Sequence, residues 1–131
     1  MADINDVAGI KAKIAAAKTL GQKQRVFSEM VGMLLTWIYT QPDLSVSLGE
    51  ALRSEAQANA NAANGKGISN SLHLLKLAID LNLFIKGVYQ TDTPAYKPLG
   101  DYWKSIGGTW GGDFKSRPDG NHFSLEYNGV R

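Results

Sequence analysis

Cysteine is absent from this 131-residue chain. That absence excludes thiol nucleophiles, disulfide frameworks and every zinc site built on sulfur. Any metal must therefore be held by His, Asp or Glu. Histidine is almost as scarce, with two residues, His73 and His122. Long apolar runs are missing too. The greasiest stretch, Met30–Tyr39, is interrupted and far too short to span a bilayer. The N-terminus starts with Asp3 and Asp6 and lacks an apolar run of signal length, so the expected location is a cytoplasm, unless something else releases the protein. A net charge of +2 is too small to argue for nucleic acid. No internal repeat or low-complexity segment is visible.

What is present is an ordinary globular composition, 44% hydrophobic and 20% charged, in a length that fits one compact domain. Cations cluster at Lys11, Lys13, Lys18, Lys23 and Arg25 with no acid among them. This stretch reads either as a solvated helix face or as a weak contact for an anionic membrane or wall surface.

Val26, Phe27, Met30, Met33, Leu34, Trp37 and Ile38 follow the spacing of an amphipathic helix over 22–40, ended by Pro42 and Asp43. This stripe is core, not a cofactor box. A weaker helix precedes it, with Ile4, Val7, Ile10 and Ile14 on one side and Gly21 as the break. Alternation at Leu44, Val46 and Leu48 predicts a short strand. The Ala-rich 54–63 segment, with Ser54 as cap, predicts a helix, and 64–70 a loop. Over 77–84, Leu77, Ile79, Leu81 and Leu83 alternate with Ala78, Asp80 and Asn82, which sets Asp80 mid-strand. Lys86-Gly87 predicts a turn before a strand at Val88–Gln90. Pro98 starts a helix through Leu99, Tyr102, Trp103 and Ile106, stopped by Gly107-Gly108. Thr109–Trp110 and Phe123–Tyr127 read as closing strands. Helices first, then a small sheet with one more helix, make an α+β domain.

Both histidines lie near carboxylates. His73 precedes Asp80 by seven positions, and Asp119 precedes His122 by three. Fully extended, seven residues span roughly 23 Å, so the chain must bend if His73 and Asp80 are to share an ion. Two imidazoles and one carboxylate make a hydrolytic zinc site with a coordination position left open. The metal would bring the pKa of a water there to about 7. A further carboxylate must then take the proton and deliver it to a leaving amine, and Asp119 is positioned to do so beside the permissive Gly120. The residues alone leave a second reading open, in which both histidines are structural and hydrogen-bonded.

The segment Ser71-x-His73-x-x-x-x-Ala78-x-Asp80, then Trp110-Gly111-Gly112-Asp113-Phe114, then Asp119-x-x-His122-Phe123, resembles the zinc D-alanyl-D-alanine carboxypeptidase and dipeptidase family. It is most similar to the small phage endolysins of that family, the L-alanyl-D-glutamate peptidases, over about residues 46–131. The resemblance implies one zinc ion held by His73, Asp80 and His122, with Asp119 as the acid/base group in place of the more usual Glu. It also implies an oxyanion or substrate role for Arg53, in Leu52-Arg53-Ser54-Glu55-Ala56-Gln57, and a supporting, substrate-side role for Ser71. Relatives have Gly three residues after the first histidine, where this chain has Lys76. The whole then reads as one zinc peptidase domain, with a helical part at 1–40 and a catalytic core at 44–131, acting as a monomer on the peptidoglycan stem peptide. The implied setting is a phage enzyme that waits in the host cytoplasm and reaches the wall on release. Two alternatives remain: cleavage of the terminal D-alanyl-D-alanine bond, and a non-catalytic wall-binding or virion module that has kept the fold.

Overall fold

A computed structural model describes residues 3–49 and 72–131. The predicted helix at 54–63 and loop at 64–70, together with Arg53, Gln57 and Ser71, lie outside the described residues. Helix α1 spans Val7–Ala16 and is capped by Asp6, whose side chain accepts from the Gly9 backbone N–H. Helix α2 spans Leu20–Thr40 and begins with a reciprocal capping box between Thr19 and Gln22. The break between the two falls at Ala17–Thr19. Gly21 does not make it but sits in the first turn of α2, because the box fixes the start of that helix one residue earlier. Ile4 likewise precedes α1 and is not part of it.

The cations expected to face outward are partly occupied. Lys18 and Lys23 donate to the Ala15 and Ile14 carbonyls at the end of α1, and Lys13 pairs with Glu29 at 3.0 Å. The last carbonyls of a helix have no partner within it and carry its negative dipole end, so lysines are favoured there.

Strands follow at β1 (Leu44–Leu48), β2 (Ala78–Ile85), β3 (Val88–Tyr89), β4 (Thr109–Trp110) and β5 (His122–Ser124). Helix α3, Lys97–Ser105, extends a 3-10 turn at Thr93–Tyr96, so Pro98 is its second residue rather than its start. The sheet is antiparallel, ordered β1-β2-β5-β4, with β3 paired to β2 beside β5. The β2–β3 hairpin turns through Lys86 and Gly87, both at positive φ, which matches the right-handed twist of the flanking strands.

Phe27, Met30, Met33, Leu34 and Ile38 of α2 are buried in one cluster with Leu77, Ile79, Leu81 and Leu83 around β2 and with Leu99 and Trp103 of α3. Each such side chain contributes about 1.5–3 kcal/mol by leaving water. Trp103 is the keystone. It meets Phe27 and Phe123 edge-on, and its Nε1 donates to the Thr109 and Ser124 carbonyls, which fastens α3 to both β4 and β5.

Candidate metal centre

Strand β2 carries Asp80, and register places it opposite His122 of β5. Leu81 donates to the Asn121 carbonyl, so the neighbouring Asp80–His122 pair is of the non-hydrogen-bonded kind. In such pairs the side chains stand closest. His73 arrives by a different device. The Leu77 N–H bonds the Leu72 carbonyl and the Lys76 N–H bonds the His73 carbonyl, while Lys76 has φ 57°. These two bonds and one left-handed residue form a Schellman closure, with the apolar contact expected between its ends, since Leu72 and Leu77 are both buried. A single helical turn thus carries His73 and redirects the chain into β2. Lys76 takes the left-handed position for which glycine is suited, and its side chain is exposed. Gln24 of α2 donates to the Leu75 carbonyl and ties this turn to the helical layer.

The three side chains converge. Asp80 Oδ1 lies 3.4 Å from His73 Nε2 and 3.6 Å from His122 Nδ1. One ligand atom from each of the three falls within 4.8 Å of the others. Ligands about 2 Å from a tetrahedral zinc are separated by roughly 3.3 Å, close to both spacings. Asp80 Oδ1 and His122 Nε2 are buried and have no hydrogen-bond partner among the described residues. Buried polar atoms are rarely left so, and a cation shared by Asp80 and the two rings accounts for the carboxylate oxygen. The residues present fit a divalent metal. Burial pushes the Asp80 carboxyl up, but the His122 and His73 imidazoles more than offset it and lower its pKa to about 2.

Asp119 is exposed and sits on the turn that leads into β5. Its N–H donates to the Gly111 carbonyl, and its own carbonyl accepts from the His122 N–H. Trp110 Nε1 donates to the Gly120 carbonyl at 2.7 Å. A Cβ at Gly111 would meet the Asp119 carbonyl oxygen and the His122 Cβ, so only glycine lets the two segments close. The Trp110-Gly111-Gly112 motif gave no sign in the sequence of the indole hydrogen bond that anchors the Asp119 turn. Phe114, whose ring lies 5.5 Å from that of His122, was missed as well, although the Trp110–Phe114 motif contains it.

Residues 64–125 match the family model of D-alanyl-D-alanine carboxypeptidase, a span that includes His73, Asp80, Asp119 and His122. Over that span the chain is similar to this peptidase family. Among solved structures, the Serratia marcescens L-Ala D-Glu endopeptidase ChiX matches with a TM-score of 0.66 and 21% identity, covering 95% of this chain and 96% of that one. At that identity the likeness is one of fold. No curated protein sequence gives a significant match.

Proposed function

We propose that the chain is a zinc-dependent peptidase that cleaves the L-alanyl-D-glutamate bond of the peptidoglycan stem peptide. The convergence of His73, Asp80 and His122 on one point carries this reading. The choice of bond is supported by the full-length likeness in fold to a protein described as an L-Ala D-Glu endopeptidase. In this role His73, Asp80 and His122 would hold the ion. Zinc, when bound, is a Lewis acid that makes water a nucleophile near neutral pH. Asp119 takes the proton of the attacking water and returns it to the departing amine. The role proposed for Arg53 is to stabilise the negative charge that grows on the carbonyl oxygen, and that for Ser71 is to support the substrate. The enzyme acts as a monomeric phage endolysin, released from the host cytoplasm onto the wall.

The test is product analysis on purified peptidoglycan, with chelator and with zinc restored. A new D-glutamate amino group that appears only with metal is the expected product. Released terminal D-alanine would instead favour the carboxypeptidase reading, which the matched family's description supports. Sedimentation with walls but no new amine under any metal would indicate a silent wall-binding module. Asp119→Ala should retain zinc and lose turnover by at least a hundredfold, whereas His122→Ala should lose both. Near-normal lysis by Asp119→Ala would remove that residue as the base.

A further inference from the structure

A metal-binding imidazole as a rule donates its second N–H to a carboxylate or a carbonyl, and that bond fixes the orientation of the ring. Among the described residues, nothing supplies this bond to His122. Its Nδ1 faces Asp80 Oδ1 at 3.6 Å, so the second nitrogen is Nε2. That atom is buried and has no hydrogen-bond partner. The adjoining carbonyls of Asn121 and Asp119 accept backbone N–H groups, from Leu81 and from His122 itself. The Cβ end of the side chain is well fixed, by the pairing with Asp80 and by the close approach of Gly111. Rotation about the next bond is a separate matter. The torsion of a histidine ring is broad, and a swing of some tens of degrees would carry Nδ1 off Asp80.

What the ring does touch is other rings. Phe114 lies 5.5 Å away between centroids, tilted by 49°. It is half-buried, although the residues after it, Lys115 to Pro118, are exposed. Its own placement is firm. Phe114 closes the 3-10 turn Gly111–Asp113 by donating its N–H to the Gly111 carbonyl, the same carbonyl that accepts from Asp119. The turn is tied to α3 by the Lys104–Asp113 ion pair at 2.9 Å, and Lys104 also stands over the Trp110 ring. The His73 ring meets His122 edge-on at 5.4 Å, but it belongs to the same candidate ligand set and is no independent support. We propose that Phe114 is a positioning residue for His122. Its ring, held by the Gly111 turn, takes the place of the missing hydrogen bond and keeps Nδ1 aimed at the point shared with Asp80 and His73. The consequence for metal rests on the peptidase reading; the control of the ring does not.

The ring is tested first, without metal. In protein labelled with carbon-13 in histidine, relaxation of the His122 Cε1–H bond should report a rigid ring in the wild type and a mobile one in Phe114→Ala. Phe114→Tyr, which restores the aromatic face, should make it rigid again. Affinity is tested next, by zinc competition with a chelator. The strength of an aromatic pair predicts that Phe114→Ala weakens zinc binding roughly two- to tenfold, with Phe114→Tyr near wild type. Phe114→Leu keeps apolar bulk without the flat ring; it should follow alanine, and it takes its place if the alanine variant does not fold. A merely structural role would lower the unfolding midpoint of the metal-free protein and leave the ring rigid. A His122 ring as rigid in Phe114→Ala and Phe114→Leu as in the wild type, or zinc affinity unchanged in both, would overturn the assignment. If the ring loosens as expected while no protein, wild type included, binds zinc, the positioning stands and the peptidase reading fails.

Discussion

Lys76 holds φ 57° at the one position where the His73 turn must reverse into β2. A left-handed conformation costs an ordinary L-residue about 1–2 kcal/mol, and glycine avoids that cost because it has no Cβ. Glycine also loses more backbone freedom on folding, about 0.5–1 kcal/mol relative to alanine. Lys76→Gly should therefore stabilise the protein by a net amount near 0.5–1 kcal/mol. For a chain of 131 residues this is on the order of 2–4 °C in Tm. The Lys76 side chain is exposed and its N–H bonds the His73 carbonyl through the main chain, so no ligand geometry depends on the lysine itself. The assay is thermal and urea unfolding of the chelated protein followed by circular dichroism, since bound metal would add its own stabilisation. Lys76→Ala serves as the control, because alanine meets the same steric barrier and should leave Tm nearly unchanged. If glycine failed to raise Tm, or if alanine raised it equally, the left-handed closure would not be the strained point of this turn.

Gly111→Ala should cost about 1–3 kcal/mol in urea unfolding, because its methyl group meets the Asp119 carbonyl and the His122 Cβ. It should also depress activity more than tenfold by displacing both residues; wild-type turnover would show that the two segments have room to part. Asp80 has a folded pKa lowered from 3.8 to about 2, so the stability it contributes, roughly 2 kcal/mol, is fully present above about pH 4. That contribution should be lost as pH falls toward 2 in metal-free protein, and an Asp80→Asn variant with the same acid limb would refute the assignment. Replacing Lys18 and Lys23 with Met should lower Tm by uncovering the last carbonyls of α1, whereas replacing Lys11, on the exposed surface, should not. Loss of binding to anionic vesicles in the Lys11 variant is the result that would make this basic stretch a surface contact; unchanged binding would remove that idea.

Most of the scaffold could be read from local pattern. The stripe from Val26 to Ile38 and the alternation from Leu77 to Leu83 each satisfy one periodicity, and their elements formed where expected. Asp80 could be placed mid-strand for the same reason, since alternation alone tells which residues share a face. Partnership of strands was not legible in that way. Nothing in the spacing of Asp80 and His122 gives a register, yet register decides that they sit opposite each other in a close pair. The bend after His73 was required by distance but hidden in sequence, because its usual sign, a glycine, is replaced by Lys76. The Asp119 turn was hidden for another reason. Its anchor is an indole N–H reaching a carbonyl ten residues away, and hydrogen bonds of that range leave no periodic trace. The boundary at Gly21 was misplaced because a glycine break and a capping box compete at Thr19–Gln22, and the box satisfies two helix-end donors where the glycine satisfies none.

The groups that converge and the group assigned to proton transfer are held in opposite ways. His73 and His122 are 3% and 7% exposed, set by a closed turn and a strand register that cannot shift without moving core leucines. Such rigidity suits ion binding, where ligands fixed to within a few tenths of an ångström avoid an ordering cost when the ion arrives. Asp119 has a main chain fastened by Gly111, His122 and, through Gly120, Trp110, while the residue as a whole is exposed and lines the edge of a cleft. A base that must accept a proton at one point and release it at another needs a fixed pivot. Aspartate, one methylene shorter than glutamate, has less reach, so the backbone anchors at the turn carry more of the positioning. If Asp119 is the base, the turn, rather than the side chain's length, sets where its carboxylate can act.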